Sequence, residues 1–218
     1  DVPLIGFCGA PFTIASYLIE GGPTKSYNKT RGMLISEPEI WNRLMEKLAD
    51  MSIEYLSMQA RAGANALQIF DSWVGAVNST EYEQAIFPHM KRIISTVKSR
   101  FPNLPLAMNG VGTDHLVSIW AKLPLDVIAL DWRSSLGAAK DRGVTQTVQG
   151  NLDPAYLYGD TKTLAKVVDE ILMDGVRHGK HVFNLGHGVF PEADPAKLHW
   201  LTDYVHEKSR ELWARESR

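Results

Sequence analysis

Short apolar runs of strand length alternate with stretches of helical periodicity along nearly the whole chain, and this alternation restricts the fold more than any other feature. The runs are Val2 to Phe7, Ala66 to Phe70, Pro105 to Met108, Val127 to Leu130, Val144 to Val148 and Val182 to Leu185. Strands this uniformly apolar are buried on both faces. When helices separate them they pair in parallel, because a right-handed crossover helix must pack back onto the sheet. The sequence therefore predicts an α/β protein, either a β/α barrel or a doubly wound sheet. About six β/α units are legible, where a closed barrel takes eight strands and typically ~250 residues. The 218 residues are expected to form a single domain over 1–218. As a barrel it would be the carboxy-terminal majority, with two open edges.

The clearest helical stripe has Ile40, Leu44, Leu48, Met51, Tyr55, Met58 and Ala62 at spacings of three and four, and it is expected to face the core. Ser36 with Glu39, and Thr80 with Glu83, have the spacing of capping boxes. A following helix places Tyr82, Ile86, Met90, Ile93 and Val97 on one face. Later helices carry Leu164, Val167 and Ile171, then Leu198, Leu201, Val205 and Leu212.

Several function classes are excluded early. A net charge of -2 without any block of Lys and Arg leaves no electrostatic footprint for nucleic acid. No apolar run approaches the ~18 residues of a membrane span. Cys8 is the only thiol, so it can form no internal disulfide and no cysteine-based zinc site, and a reducing cytoplasm is expected. The chain opens inside an apolar run, with no Met and no signal peptide, so further residues are expected upstream.

Each predicted strand runs into a polar or glycine-rich cluster: Gly9-Ala10-Pro11, Asp71-Ser72-Trp73, Asn109-Gly110, Asp131-Trp132-Arg133, Gln149 to Pro154, and Asn184 to Gly188. In parallel α/β folds these carboxyl ends share one face and carry the ligand site. His187 lies between Gly186 and Gly188, which leaves its ring uncrowded. It is either a site residue or a histidine held by a turn carbonyl. Ser72 follows Asp71 directly, so one of the two faces the interior and the other turns away. No nucleophile elbow surrounds Ser72. Tyr17 reads as a half-buried aromatic with a wet hydroxyl, Cys8 as a small buried hydrophobe, and Asp131 with Arg133 as an internal ion pair. His178 and His181 occupy a polar turn without further ligands, so no metal is expected. Gly110-Val111-Gly112 and Gly21-Gly22-Pro23 fit ordinary turns better than phosphate loops.

Taken together, Pro3 to Thr13, Tyr17 to Gly22, Ile69 to Trp73, Leu130 to Trp132, Val148 to Pro154 and Asn184 to Gly188 resemble the uroporphyrinogen decarboxylase family in order and spacing, with wording most like Gram-positive bacterial members. The resemblance implies a (β/α)8 TIM barrel, commonly a homodimer, acting on a small-molecule tetrapyrrole with no metal or organic cofactor. It implies that Tyr17, Ser72 and His187 contact substrate, with Tyr17 and His187 at the chemistry, and that Phe7 lines the cleft. The family's amino-terminal arginine-rich loop and pyrrole-binding aspartate have no counterpart among these residues. An arginine, a substrate carboxyl and His187 all stand as proton donors. Two alternatives remain. One is a corrinoid-linked methyltransferase of the same superfamily, whose zinc ligands Cys8 alone cannot supply. The other is a non-catalytic tetrapyrrole-binding fragment.

Overall fold

The structure is a computed structural model that describes residues 2–22 and 24–216. Asp1, Ser217 and Arg218 lie outside the described residues, as does Pro23, and with it the end of the expected Gly21-Gly22-Pro23 turn. The chain divides into two compact units, Asp1–Ile128 and Ala129–Arg218.

The first unit runs β1 (Ile5–Gly9), α1 (Pro11–Glu20), α2 (Asn28–Ser36), α3 (Pro38–Arg61), β2 (Ala66–Asp71), α4 (Ser79–Ala85), α5 (Phe87–Arg100), β3 (Leu106–Gly110), the short α6 (Val117–Trp120) and β4 (Val127–Ala129), which reaches the boundary. The strands lie in sequence order. Pairing is parallel from Ile5↔Ala66 to Gly9↔Phe70 and from Leu67↔Leu106 to Asp71↔Gly110. With a side-chain period of two, this register puts Gly6, Cys8, Leu67, Ile69, Asp71, Leu106, Met108 and Gly110 on one face, and all are buried. The other face carries Phe7, Gln68, Phe70, Ala107 and Asn109 and is more open, Phe7 being 57% exposed.

Strand positions agree with the apolar runs, but the ends move. β1 starts three residues later than the run at Val2 and, like β2 and β3, continues into the polar cluster, so Gly9, Asp71 and Gly110 are strand residues. Hydrogen bonding to a neighbour, rather than apolarity, decides where a strand ends. The outer edge of β1 is closed by a side chain. Gln59 Oε1 accepts from the Phe7 N–H (2.7 Å) and its Nε2 donates to the Phe7 carbonyl (2.9 Å), so the amide stands in for a neighbouring strand.

Of the core stripe expected on α3, Leu48 is buried and Leu44 half-buried, but the rest faces outward. Ile40, Met51, Tyr55 and Met58 are exposed, while Trp41, Met45, Leu48, Ala49, Ile53 and Leu56 are buried. The inward stripe is the expected one advanced by a residue, a rotation of about 100°. Trp41 decides the rotation: its Nε1 donates to the Ala85 carbonyl (3.0 Å) and its ring meets Phe12 edge-on at 6.1 Å. The expected capping boxes are displaced as well. Ser36 ends α2, its hydroxyl donating to the Gly32 carbonyl, and Pro38, whose fixed φ suits a first helical turn, opens α3. On α4 the box is made by Asn78 and Glu81, not Thr80 and Glu83. Tyr82, Ile86, Met90, Ile93 and Val97 are all buried as expected, but Ile86 separates two helices because Pro88 cannot donate the next backbone bond.

In the second unit, the Leu130 N–H donates to the Gln149 carbonyl (2.8 Å) of β5 (Thr147–Gln149), which pairs in parallel with β6 (His181–Val182) at Val148↔His181. Helices α7 (Thr161–His178) and α8 (Pro195–Glu216) cover an apolar cluster that includes Leu164, Val168, Leu172, Leu201 and Val205. The expected runs at Val144 and Val182 shift to these shorter strands. His178 and His181 each present Nε2 to a carbonyl, of Gln146 (2.8 Å) and Gly150 (2.7 Å). Those bonds give both histidines a structural role.

Candidate active site

In the first unit, the start of α1 and the end of β2 form one corner. Ala10 supplies no side-chain cap to α1, and the first turn is instead tied to Asp71: Thr13 Oγ1 donates to Asp71 Oδ1 (2.9 Å) and accepts from the Trp73 N–H (3.3 Å). Asp71 is therefore the member of the Asp71-Ser72 pair that turns into the helix side, while Ser72 stays half-buried. Burial pushes the Asp71 carboxyl up to about 7, against the opposing bonds from Thr13. The same burial pushes the Cys8 thiol up to about 12, which makes it an inert core residue.

One turn beyond Thr13, Tyr17 is 59% exposed, so its hydroxyl is open to solvent. α1 is capped by Gly21, whose φ of 72° favours a residue without a side chain and whose N–H donates to the Tyr17 carbonyl. The Tyr17 ring meets Trp73 edge-on at 6.3 Å, and Tyr27 lies against the same indole at 5.8 Å. Together with Ser16, Gly22 and Thr24 these rings line a pocket of ≈ 320 Å³. Trp73 Nε1 is buried without a hydrogen-bond partner. Phe7 meets Phe70 edge-on at 5.6 Å on the open face of the sheet, and Phe70 leads directly into Asp71 and Ser72. Tyr17, Ser72 and Phe7 thus belong to one neighbourhood of α1, β1 and β2. Phe70, Trp73 and Tyr27 join it without having been singled out. For Phe70 the signal was present, since a period of two from Gln68 places it on the face of Phe7.

His187 lies in the second unit. Past β6 the parallel pairing continues through a Leu152↔Leu185 bridge to the Gly186 N–H, which donates to the Leu152 carbonyl (2.7 Å). His187 then emerges exposed, its ring edge-on to Trp132 at 5.7 Å and its Nδ1 3.4 Å from the Gly188 carbonyl. Asp131 and Arg133 make the expected ion pair, Nη1 to Oδ2 at 3.0 Å, and the guanidinium lies 3.8 Å above the Trp132 ring. Gly186 is required here: a Cβ would stand 2.5 Å from Trp132 N and 3.0 Å from Trp132 Cα, both backbone atoms. Gly186→Ala is expected to cost about 1–3 kcal/mol of stability, as other forced overpacking does, and to alter the near-ultraviolet dichroism of Trp132. Urea denaturation with that spectrum checks it. Among the described residues, no group of three His, Cys, Asp or Glu side chains is placed to hold a metal ion, and no helix is long and apolar enough to cross a membrane.

A family model described as uroporphyrinogen decarboxylase (URO-D) matches residues 1–208. The chain belongs to the uroporphyrinogen decarboxylase family. Curated relatives of that name include one from Geobacillus sp. (strain WCH70), 54% identical over 207 residues, and one from Bacillus subtilis (strain 168), 53% identical over 210 residues. These alignments cover 95% and 96% of this chain but 59% of each relative, so the chain spans about three fifths of their length. Both organisms are Gram-positive, in keeping with the wording of the motifs. Among solved structures, a methyltransferase from Methanosarcina mazei superposes with a TM-score of 0.77 at 19% identity, over 95% of this chain and 59% of that one. At that identity the likeness concerns fold alone. Parallel strands in sequence order, alternating with helices, give this family member an α/β fold of the TIM-barrel class.

Proposed function

We propose that the chain serves the decarboxylation of uroporphyrinogen to coproporphyrinogen in haem biosynthesis. Its family membership supports this, but the observation that carries it is the corner of the first unit, where the exposed Tyr17 lines an aromatic pocket of ≈ 320 Å³ with Tyr27 and with Trp73, the residue after Ser72. Aromatic walls suit the faces of pyrrole rings, and hydroxyl donors suit the carboxylates around them.

The chemistry asks little of the protein beyond placement. A proton added to the ring carbon beside an acetate-bearing carbon makes an iminium-like cation. The bond to the carboxylate then breaks, carbon dioxide leaves, and its electron pair forms an exocyclic double bond that neutralises the ring. A second proton on the exocyclic carbon gives the methyl group, and loss of the added ring proton restores the pyrrole. The ring itself is the electron sink, so the proposal assigns no metal or organic cofactor to the step. Tyr17, Ser72 and His187 are assigned to holding carboxylates and Phe7 to lining the cleft. Each hydrogen bond to a charged group is worth roughly 1.5–3 kcal/mol. The proposal extends to a single domain, matched by one family model over residues 1–208, to action in the cytoplasm and to pairing as a homodimer, which sedimentation would test.

Supplied with uroporphyrinogen under reducing conditions, the chain is expected to form coproporphyrinogen. His187→Ala is expected to lower the rate by at least about 10-fold, from loss of one charge-assisted bond, and Tyr17→Phe by a similar factor. Both side chains are exposed, so melting should move little. Wild-type turnover by folded His187→Ala would remove that residue from the site, and product formation by no form of the chain would remove the decarboxylase proposal.

A further inference from the structure

We infer that Arg133 is a further carboxylate-binding residue, held beside His187 by the indole of Trp132. This rests on the tetrapyrrole reading above and adds to it a residue whose sequence context favoured an internal ion pair over ligand contact. Three features of the second unit carry it. Asp131, 1% exposed, accepts twice from Arg133, from the backbone N–H at Oδ1 (3.0 Å) and from Nη1 at Oδ2 (3.0 Å), which fixes both ends of the arginine. The guanidinium stacks at 3.8 Å on Trp132, the ring whose other contact is the His187 imidazole at 5.7 Å. And the Arg133 side chain is 51% exposed despite these restraints.

A merely structural ion pair would not need that exposure. A guanidinium has five N–H donors in a rigid plane, and the ion pair with Asp131 engages Nη1. The rest of the fork is pre-oriented by the stack, so binding a second carboxylate costs little side-chain ordering. An imidazole and a guanidinium set against one indole form a pair of donors for an acidic substituent. A ligand with many carboxylates should use that pair more than one with few.

The test is a titration of the purified chain with uroporphyrin, which has eight carboxylates, and coproporphyrin, which has four, read by porphyrin emission. Arg133→Gln is expected to weaken uroporphyrin binding about 10-fold, or roughly 1.4 kcal/mol, to weaken coproporphyrin less, and to flatten the salt dependence. Because this variant removes one partner of the buried Asp131, Arg133→Lys is the companion. It keeps the charge but loses the planar stack, and should fall between the two. Arg177→Gln, which removes a surface cation paired to Asp174 on α7, should bind like wild type. Wild-type binding of both porphyrins by folded Arg133 variants would overturn the inference while leaving the functional proposal intact. An equal loss in Arg177→Gln would also overturn it, as a bulk charge effect. A wild-type chain that binds neither porphyrin would overturn the functional proposal itself, and this one with it.

Discussion

Trp41→Ala is expected to destabilise the protein by about 3–5 kcal/mol, the range for removing a large buried aromatic. That is a large share of the 5–15 kcal/mol that keeps a typical domain folded. Trp41 is 2% exposed, joins α3 to α1 through Phe12, and joins α3 to the end of α4 through the Ala85 carbonyl, so truncation opens a cavity and orphans an acceptor together. Tyr55→Ala and Met58→Ala, on the exposed stripe of the same helix, should each change stability by no more than about 0.5 kcal/mol. Urea unfolding of the three variants measures the difference. The reverse order of effects would mean that α3 buries the stripe through Ile40, Met51 and Met58.

That contrast shows where the sequence stops being legible. Apolar runs separated by helical periods made the parallel α/β architecture readable, because crossover helices pair such strands in parallel, although one face of the sheet is more open than the runs imply. The same abundance of apolar residues made α3 ambiguous. Two stripes one residue apart are both apolar, and nothing local says that Trp41 finds an acceptor at Ala85, 44 residues away. Helix starts failed for a related reason: Ser36 and Thr80 have the spacing of caps, but Glu37 precedes α3, which opens on Pro38, and the cap of α4 forms at Asn78. Tyr17, Ser72 and His187 were singled out through motifs: Ser72 follows β2 directly and His187 follows the last paired residue beyond β6, whereas Tyr17 lies inside α1. Their surroundings were hidden. That Trp73 packs between Tyr17 and Tyr27, and that Trp132 carries both Arg133 and His187, depends on which way each ring turns, which composition and spacing do not encode.

Asp71→Asn is expected to remove a pH dependence of stability from the wild-type protein. The Asp71 carboxyl is raised from 3.8 to about 7, chiefly by burial. Below the unfolded value the carboxyl is protonated in both states, and its contribution to stability is fully present. Between the two values the folded protein keeps its proton while the unfolded chain ionises, so stability falls as pH rises, and above the folded value the contribution is gone. About three pKa units at 1.36 kcal/mol each make this roughly 4 kcal/mol. Asparagine keeps an acceptor for Thr13 Oγ1 and has no proton to lose, and the oxygen it replaces, Oδ2, has no partner. The ionisable groups facing Asp71 are Cys8 on β1, pushed up to about 12, and Tyr82 on α4, held by burial well above its ordinary value, so both stay neutral through this range. Subtracting the unfolding free energy of the variant from that of wild type, from pH 4 to 8, isolates Asp71 from every other carboxylate. The difference should fall steadily towards pH 7 and then level. A difference that does not change with pH would mean that Asp71 is ionised in the folded protein throughout. The corner at Thr13, Trp73 and Tyr17 would then be held by a charge rather than by a proton.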